Sequence, residues 1–142
     1  MKMKYDFSSA VRGKFYQPVE PEKSPPITRL ILYVRDIPKV AAFYETHFGF
    51  VCVDVGDDDL IYLHSPSHGC GLAILQAAKS QKTGQACVKL VFQVDDVEIF
   101  KRASAKKGLV FGASHTGPDY AFANAKDPAK NLIQISSRKF NI

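Results

Sequence analysis

Four histidines, three cysteines and three adjacent aspartates are the residues of this chain that could hold a metal ion or serve as nucleophile and base. Their spacing supports neither role. His64 and His68 stand four apart, but across a strand end and a Ser-Pro-Ser-His-Gly turn, where that spacing does not align two imidazoles as it would on a helix. His47 falls near a helix C-terminus, where the helix dipole suits a cation, and His115 falls in a loop. Asp57, Asp58 and Asp59 follow Gly56 in a hairpin turn, without the alternating ligands and distant Glu of a calcium loop. Cys52, Cys70 and Cys87 form no CxxC and leave one thiol unpaired in any disulfide scheme, which points to a reducing compartment. Cys52 and Cys87 read as small core residues. No Ser-His-Asp or Cys-His arrangement follows from spacing, and Glu45 and Glu98 fall on helices, away from any cleft. A different set remains: Arg29 and Lys89, sixty positions apart, with Gln134 and the rings of Tyr33, Tyr62 and Phe122. A guanidinium fork, an ammonium, an amide and aromatic walls suit recognition of an anion rather than acid–base chemistry.

Those six residues depend on strands. In ITRLILYVRDIPKVAAFYETHFGF, residues 27–50, Leu30, Leu32 and Val34 alternate with Arg29, Ile31 and Tyr33, which gives a strand with one fully apolar face. Asp36 then caps a helix with Pro38 in its first turn, where the missing N–H costs nothing. Val40, Phe43, Tyr44 and His47 recur at helical spacing until Gly49 ends the helix and Phe50 opens a new strand. A shift of sixty positions lays Lys89 on Arg29, Leu90 on Leu30, Val94 on Val34, Asp96 on Asp36 and Val97 on Ile37. Two copies of a unit this long mean an internally duplicated domain.

The rest of each unit is strand. In the first, the expected strands are 50–55, 60–64 and 72–76. In the second, a strand over 88–94 and a helix over 96–107 lead to strands near 109–111, 120–124 and 131–136. The glycine-containing loop GASHTGP, 112–118, lies between strands and opens no helix, so it is no phosphate loop. A polar connection over 77–85 joins two βαβββ modules, 27–76 and 88–136, within one α+β domain spanning 27–138. Facing curved sheets with helices outside would enclose a cleft. Residues 1–26 form a tail with a proline-rich linker over 17–26, and the four aromatics of YDFSSAVRGKFY suit packing on an apolar or partner surface.

Composition narrows the function classes. With 46% hydrophobic and 23% charged residues, 142 residues can bury a real core. The net charge of +5 comes from scattered lysines and arginines, not from basic runs interleaved with aromatics, so nucleic acid is not the expected partner. No secretory apolar segment follows Met1 and no long uncharged apolar stretch occurs, which places the protein in the cytoplasm and off the membrane. Open sheet edges and the aromatic tail make a homodimer the expected assembly.

ILYVRDIPKVAAFYETHFGF, VKLVFQVDDVEIFKRASAKKGL and DPAKNLIQI together resemble the vicinal oxygen chelate superfamily of glyoxalases, bleomycin-resistance proteins and extradiol dioxygenases, over residues 27 to about 138. The resemblance implies paired βαβββ modules around a U-shaped cleft, often with a divalent metal held by His, Gln or Glu from four strands. Here those four positions carry Arg29, Ala73 (or Ile74, one register away), Lys89 and Gln134. A guanidinium has no lone pair to offer and repels a metal ion, so the family's metal site is expected to be missing and no cofactor is expected. The implied function is binding of a small anionic or aromatic molecule between the modules by Arg29, Lys89, Gln134, Tyr33, Tyr62 and Phe122. The alternative is a divergent lyase or dioxygenase of the same superfamily.

Overall fold

Each copy of the repeat folds as strand, helix and three further strands in the computed structural model, which describes residues 26–140. The expected tail, apart from Pro26, lies outside the described residues. The first module comprises β1 (Arg29–Val34), α1 (Ile37–Phe48), β2 (Val51–Val53), β3 (Leu60–His64) and β4 (Gly71–Gln76). The second comprises β5 (Lys89–Gln93), α2 (Val97–Lys106), β6 (His115–Thr116), β7 (Ala121–Lys126) and β8 (Leu132–Ser136). The sheets run β1-β4-β3-β2 and β5-β8-β7-β6, with β1 parallel to β4 and β5 parallel to β8. Both β1 and β5 are therefore edge strands, and the α+β class and tandem βαβββ architecture are as the repeat predicts.

The repeat extends to atoms. The Asp36 carboxylate accepts from Lys39 N at 3.1 Å and the Asp96 carboxylate from Ile99 N at 2.9 Å, each satisfying one of the amides a helix start leaves unpaired. Gly49 ends α1 in the left-handed region, φ 72°, and returns its N–H to Glu45 O. Asp54 and Asp57 accept from Gly56 N and Asp59 N, both at 2.8 Å, so two aspartates in and beside the 57–59 run serve the turn, as expected of a hairpin.

Several sequence expectations need correction. Residues 109–111 form no strand: Leu109 and Phe111 are buried as core plugs, and the ladder's last strand is the two-residue β6 instead. Gly108, at φ 97°, turns the chain sharply after α2, and only Gly112 N, bonding Asn124 O at 2.9 Å, reaches the sheet from that segment. Strand β7 runs two residues further than expected and β2 is three residues long. Cys52 and Cys87 are exposed rather than buried, because β2 is a short edge strand open at every position and Cys87 lies in the connection before β5.

One core serves both modules. Val34, Tyr44, Leu63 and Ile74 from the first join Ile133, Ile135 and Ala123 from the second, all fully buried. Phe48 stacks on Phe92 with centroids 3.9 Å apart and reaches Phe100 at 5.8 Å, so α1 of one module rests on β5 and α2 of the other. A polar bond lies inside this apolar contact: the Tyr44 hydroxyl donates to Asp127 Oδ2 at 2.6 Å. Asp127 also accepts from Ala129 N at 2.9 Å, Asn131 N at 2.8 Å and Asn131 Nδ2 at 2.9 Å, so a carboxylate only 4% exposed has four donors. Burial, and then the Asp127 charge, push the Tyr44 hydroxyl far above its usual range, so it remains a donor.

The connection between modules is tied down by Arg35, whose guanidinium donates to Ala78 O at 2.6 Å, to Ala77 and Lys79 O at 3.4 Å, and to Gln81 O. Gly84, at φ 73°, passes over the turn after β7 so closely that an added Cβ would sit 2.8 Å from Lys130 Cβ. Tyr44→Phe is expected to cost about 1.5–3 kcal/mol in urea unfolding, the range for a hydrogen bond to a charged group. Asp127→Ala is expected to cost more, because it strands the hydroxyl and three further donors.

Candidate functional site

The sheet faces that the helices do not cover are set by strand register. On the first sheet, Arg29, Ile31 and Tyr33 lie beside Gly71, Ala73 and Leu75, and these beside Tyr62 and Leu60. This face is mostly apolar: Ile31, Tyr33, Val51 and Val53 are 48%, 44%, 49% and 40% exposed. Tyr62 lies over Gly71, where an added Cβ would run into its hydroxyl. Arg29 opens β1 in an exposed position and makes no side-chain hydrogen bond among the described residues.

The second face is different in kind. Lys89, Val91 and Gln93 lie beside Leu132, Gln134 and Ser136, and these beside Lys126, Asn124 and Phe122. Asn124 Oδ1 accepts from Lys89 Nζ at 3.2 Å and from Gln134 Nε2 at 2.9 Å. This triad fixes the ammonium without neutralising it. Beyond it the rings of His115, Phe122 and Tyr120 run in near-parallel steps, 5.0 and 6.4 Å apart with interplanar angles of 25° and 20°. An open groove of about 830 Å³ lies over this face, within the size range of small-molecule sites. Among the described residues its polar lining includes Gln93, Gln134 and Ser136, and its charged lining is Arg138 and Lys139.

The six residues expected from the sequence thus fall into two groups. Lys89, Gln134 and Phe122 share the second face, the first two joined through Asn124, while Arg29, Tyr33 and Tyr62 share the first. Asn124 and Arg138 were not among the expected residues. Asn124 was legible, two positions from Phe122 on one strand, whereas Arg138 lies past the end of β8 where no periodicity reaches.

A second cavity, about 750 Å³, lies between the modules and is lined by Leu30, Phe48, Cys70, Phe92 and His47 among others. The His47 Nδ1 is buried without a hydrogen-bond partner among the described residues. The favourable helix dipole expected there is outweighed: desolvation, and then the charge of Lys107, hold its pKa below 6.5. Lys107 is fixed beside it by donating to Thr46 O at 3.1 Å.

A divalent metal of the kind the resemblance implies finds no donor set in these residues. Arg29 and Lys89 offer no lone pair in their charged forms and Ala73 has no heteroatom, which leaves the Gln134 Oε1 as a single donor, its Nε2 being bonded to Asn124. Among the described residues no three His, Cys, Asp or Glu side chains cluster, His64 and His68 included. The Cys52 thiol is pushed up by desolvation and by Glu45 and Asp54, which opposes a thiolate role.

The pattern of the Glyoxalase/Bleomycin resistance protein/Dioxygenase superfamily matches residues 26–135, and the chain belongs to that superfamily. Comparison with curated proteins gives no match. Among solved structures it is similar to TnmS3, an antibiotic binding protein from Streptomyces sp. CB03234, at 18% identity and a TM-score of 0.68, covering 81% of this chain and 97% of that one. It is also similar to a protein from the mobile metagenome of V. Pseudocholerae, at 28% identity and a TM-score of 0.63, covering 85% and 100%. An integron cassette protein of V. Cholerae is 26% identical with a TM-score of 0.63, covering 82% and 98%. Among the described residues no helix is long and apolar enough to cross a membrane.

The depressed His47 pKa makes stability depend on pH in one direction. The unfolded chain takes up a proton near 6.5 and the folded chain resists it, so this contribution is intact above 6.5 and is lost as pH falls through that value. Urea unfolding at pH 7.5 and 5.5 is expected to show a drop for the natural chain that is smaller in His47→Gln.

Proposed function

We propose that this chain binds a small anionic or aromatic molecule against the uncovered faces of its two sheets, without a metal and without chemistry. The observation that carries this reading is the replacement chemistry. Where the family resemblance implies ligands on four strands, the chain presents two cations, Arg29 and Lys89, the methyl group of Ala73 and one amide, Gln134, and a single amide oxygen does not hold a divalent metal. On the second face Lys89 supplies positive charge, Gln134 orients the ligand and Phe122 packs on its body; on the first, Arg29 supplies the charge and Tyr33 and Tyr62 the aromatic walls. TnmS3, of the same fold, is an antibiotic binding protein, which is in keeping with a binding role.

The binding species is a homodimer in this reading. Ile31, Tyr33, Val51 and Val53 leave an apolar sheet face open, and among the described residues β1 and β5 are both edge strands. A second copy facing that sheet would turn it from an open surface into a cleft, with the ligand held between the copies. Sedimentation at micromolar concentration is expected to give twice the chain mass, falling towards one chain in Ile31→Asp; a natural chain that sediments as a monomer would count against the dimer.

Thermal shift of the full chain against a panel of aryl carboxylates, phosphates and divalent metals, with and without EDTA, tests the binding itself. Anions are expected to raise Tm in EDTA, less so at high salt, and Arg29→Ala is expected to reduce the shift. A rise with divalent metals alone would favour the divergent lyase or dioxygenase instead.

A further inference from the structure

We infer that Arg138 is the group that selects the ligand, and that the ligand class is an aromatic ring bearing an oxyanion; this rests on the binding reading above. Arg138 lies just past β8, yet its backbone is fixed. Ser137 N donates to Ala121 O at 3.0 Å, Ala121 N donates to Ser137 Oγ at 2.9 Å, and Arg138 N donates to Ser136 Oγ at 3.1 Å. The pair Ser136 and Ser137, at the end of β8, therefore stitches this segment to the start of β7 and aims the next side chain along the groove.

The guanidinium carbon stands 4.7 Å from the centroid of Tyr120 and 4.7 Å from that of Phe140. Stacking of this kind occupies the faces of the planar cation and strips water from them, while its N–H edge stays available for hydrogen bonds. Among the described residues no acceptor meets that edge. Among the described residues the groove beside it has no acidic lining residue to compensate, and its charges are Arg138 and Lys139. An oxyanion is the partner this fork fits, bidentately.

The rest of the groove supplies the second half of the ligand. Lys89 is held by Asn124, and Arg29 does not line this groove, so neither competes for the fork's position. Tyr120 is shared: it contacts Arg138 and continues the ring column through Phe122 to His115. A flat ring laid on that column places a carboxylate, sulfonate or phosphate at its edge within reach of Arg138.

Isothermal titration of the full chain with naphthoate, naphthamide and cyclohexanecarboxylate is the test. Naphthoate is expected to bind more tightly than its uncharged amide and than the non-aromatic acid. Arg138→Gln is expected to weaken naphthoate about tenfold to a hundredfold, the loss of a charge-assisted pair, and to leave naphthamide unchanged. Arg138→Lys keeps the charge but not the fork and is expected to restore only part of the affinity. Arg102→Gln on α2 removes the same unit charge from an exposed helix position and is expected to have no effect. Naphthoate affinity unaltered by Arg138→Gln would overturn the role of Arg138 while leaving binding intact, as would naphthamide binding equally well. Absence of binding by all three compounds would overturn both readings.

Discussion

The hydrogen bond from Tyr44 to Asp127 is the constraint on which the arrangement of the two modules depends. Aromatic contacts between Phe48 and Phe92 supply area, but stacked rings can slide along one another at little cost. A buried hydroxyl and a buried carboxylate cannot, because any shift that separates them leaves the hydroxyl without water or a partner and the carboxylate one donor short. The same carboxylate organises the turn between β7 and β8 through Ala129 and Asn131, so the docking of α1 and the placing of β8 are one event. Strand β8 carries Gln134, and through Asn124 it sets the position of Lys89. A contact on the buried side thereby governs geometry on the open side.

The two sheet faces have diverged although the backbone repeats. The first is apolar and thinned by Gly71 and Ala73 beneath Tyr62, while the second carries an amide-ammonium network, a ring column and two cations. Helix caps, parallel strand pairs and core positions are common to both copies, because the requirements of folding are the same in each. Side chains on the uncovered faces carry no such requirement, and there the copies differ.

Much of this was legible in the sequence, for physical reasons that vary by residue. Asp36 and Asp96 stood out because a cap needs a short acceptor at one fixed place, and alternation around Leu30 and Leu90 exposed the two edge strands because period two survives wherever one face is buried. The segment 109–111 misled because Leu109 and Phe111 alternate like a strand while serving as plugs, and spacing cannot distinguish a paired segment from an unpaired one. Cys52 misled because burial depends on the length of β2, which the residues around it do not announce. Tyr44 could be assigned to the core, but its partner 83 positions away could not be found by any local rule. Arg138 escaped because its position comes from two serine hydroxyls rather than from a repeating element.

Parallel pairing of the first and last strands in each module has a consequence for the order in which the chain acquires structure. Among the described residues strand β1 pairs with β4 alone, and β5 with β8, so neither joins its sheet until the helix and hairpin between them have been made. On a ribosome the first module can close while the second is still being synthesised, but its Tyr44 and Phe48 then face solvent until Asp127 and Phe92 arrive. The half-made protein is thus a closed module with a sticky aromatic flank, a state whose lifetime is set by translation rate. Slowing elongation between the codons for β4 and β8 would lengthen exactly that exposure, and soluble yield would respond to codon choice in the second half more than in the first.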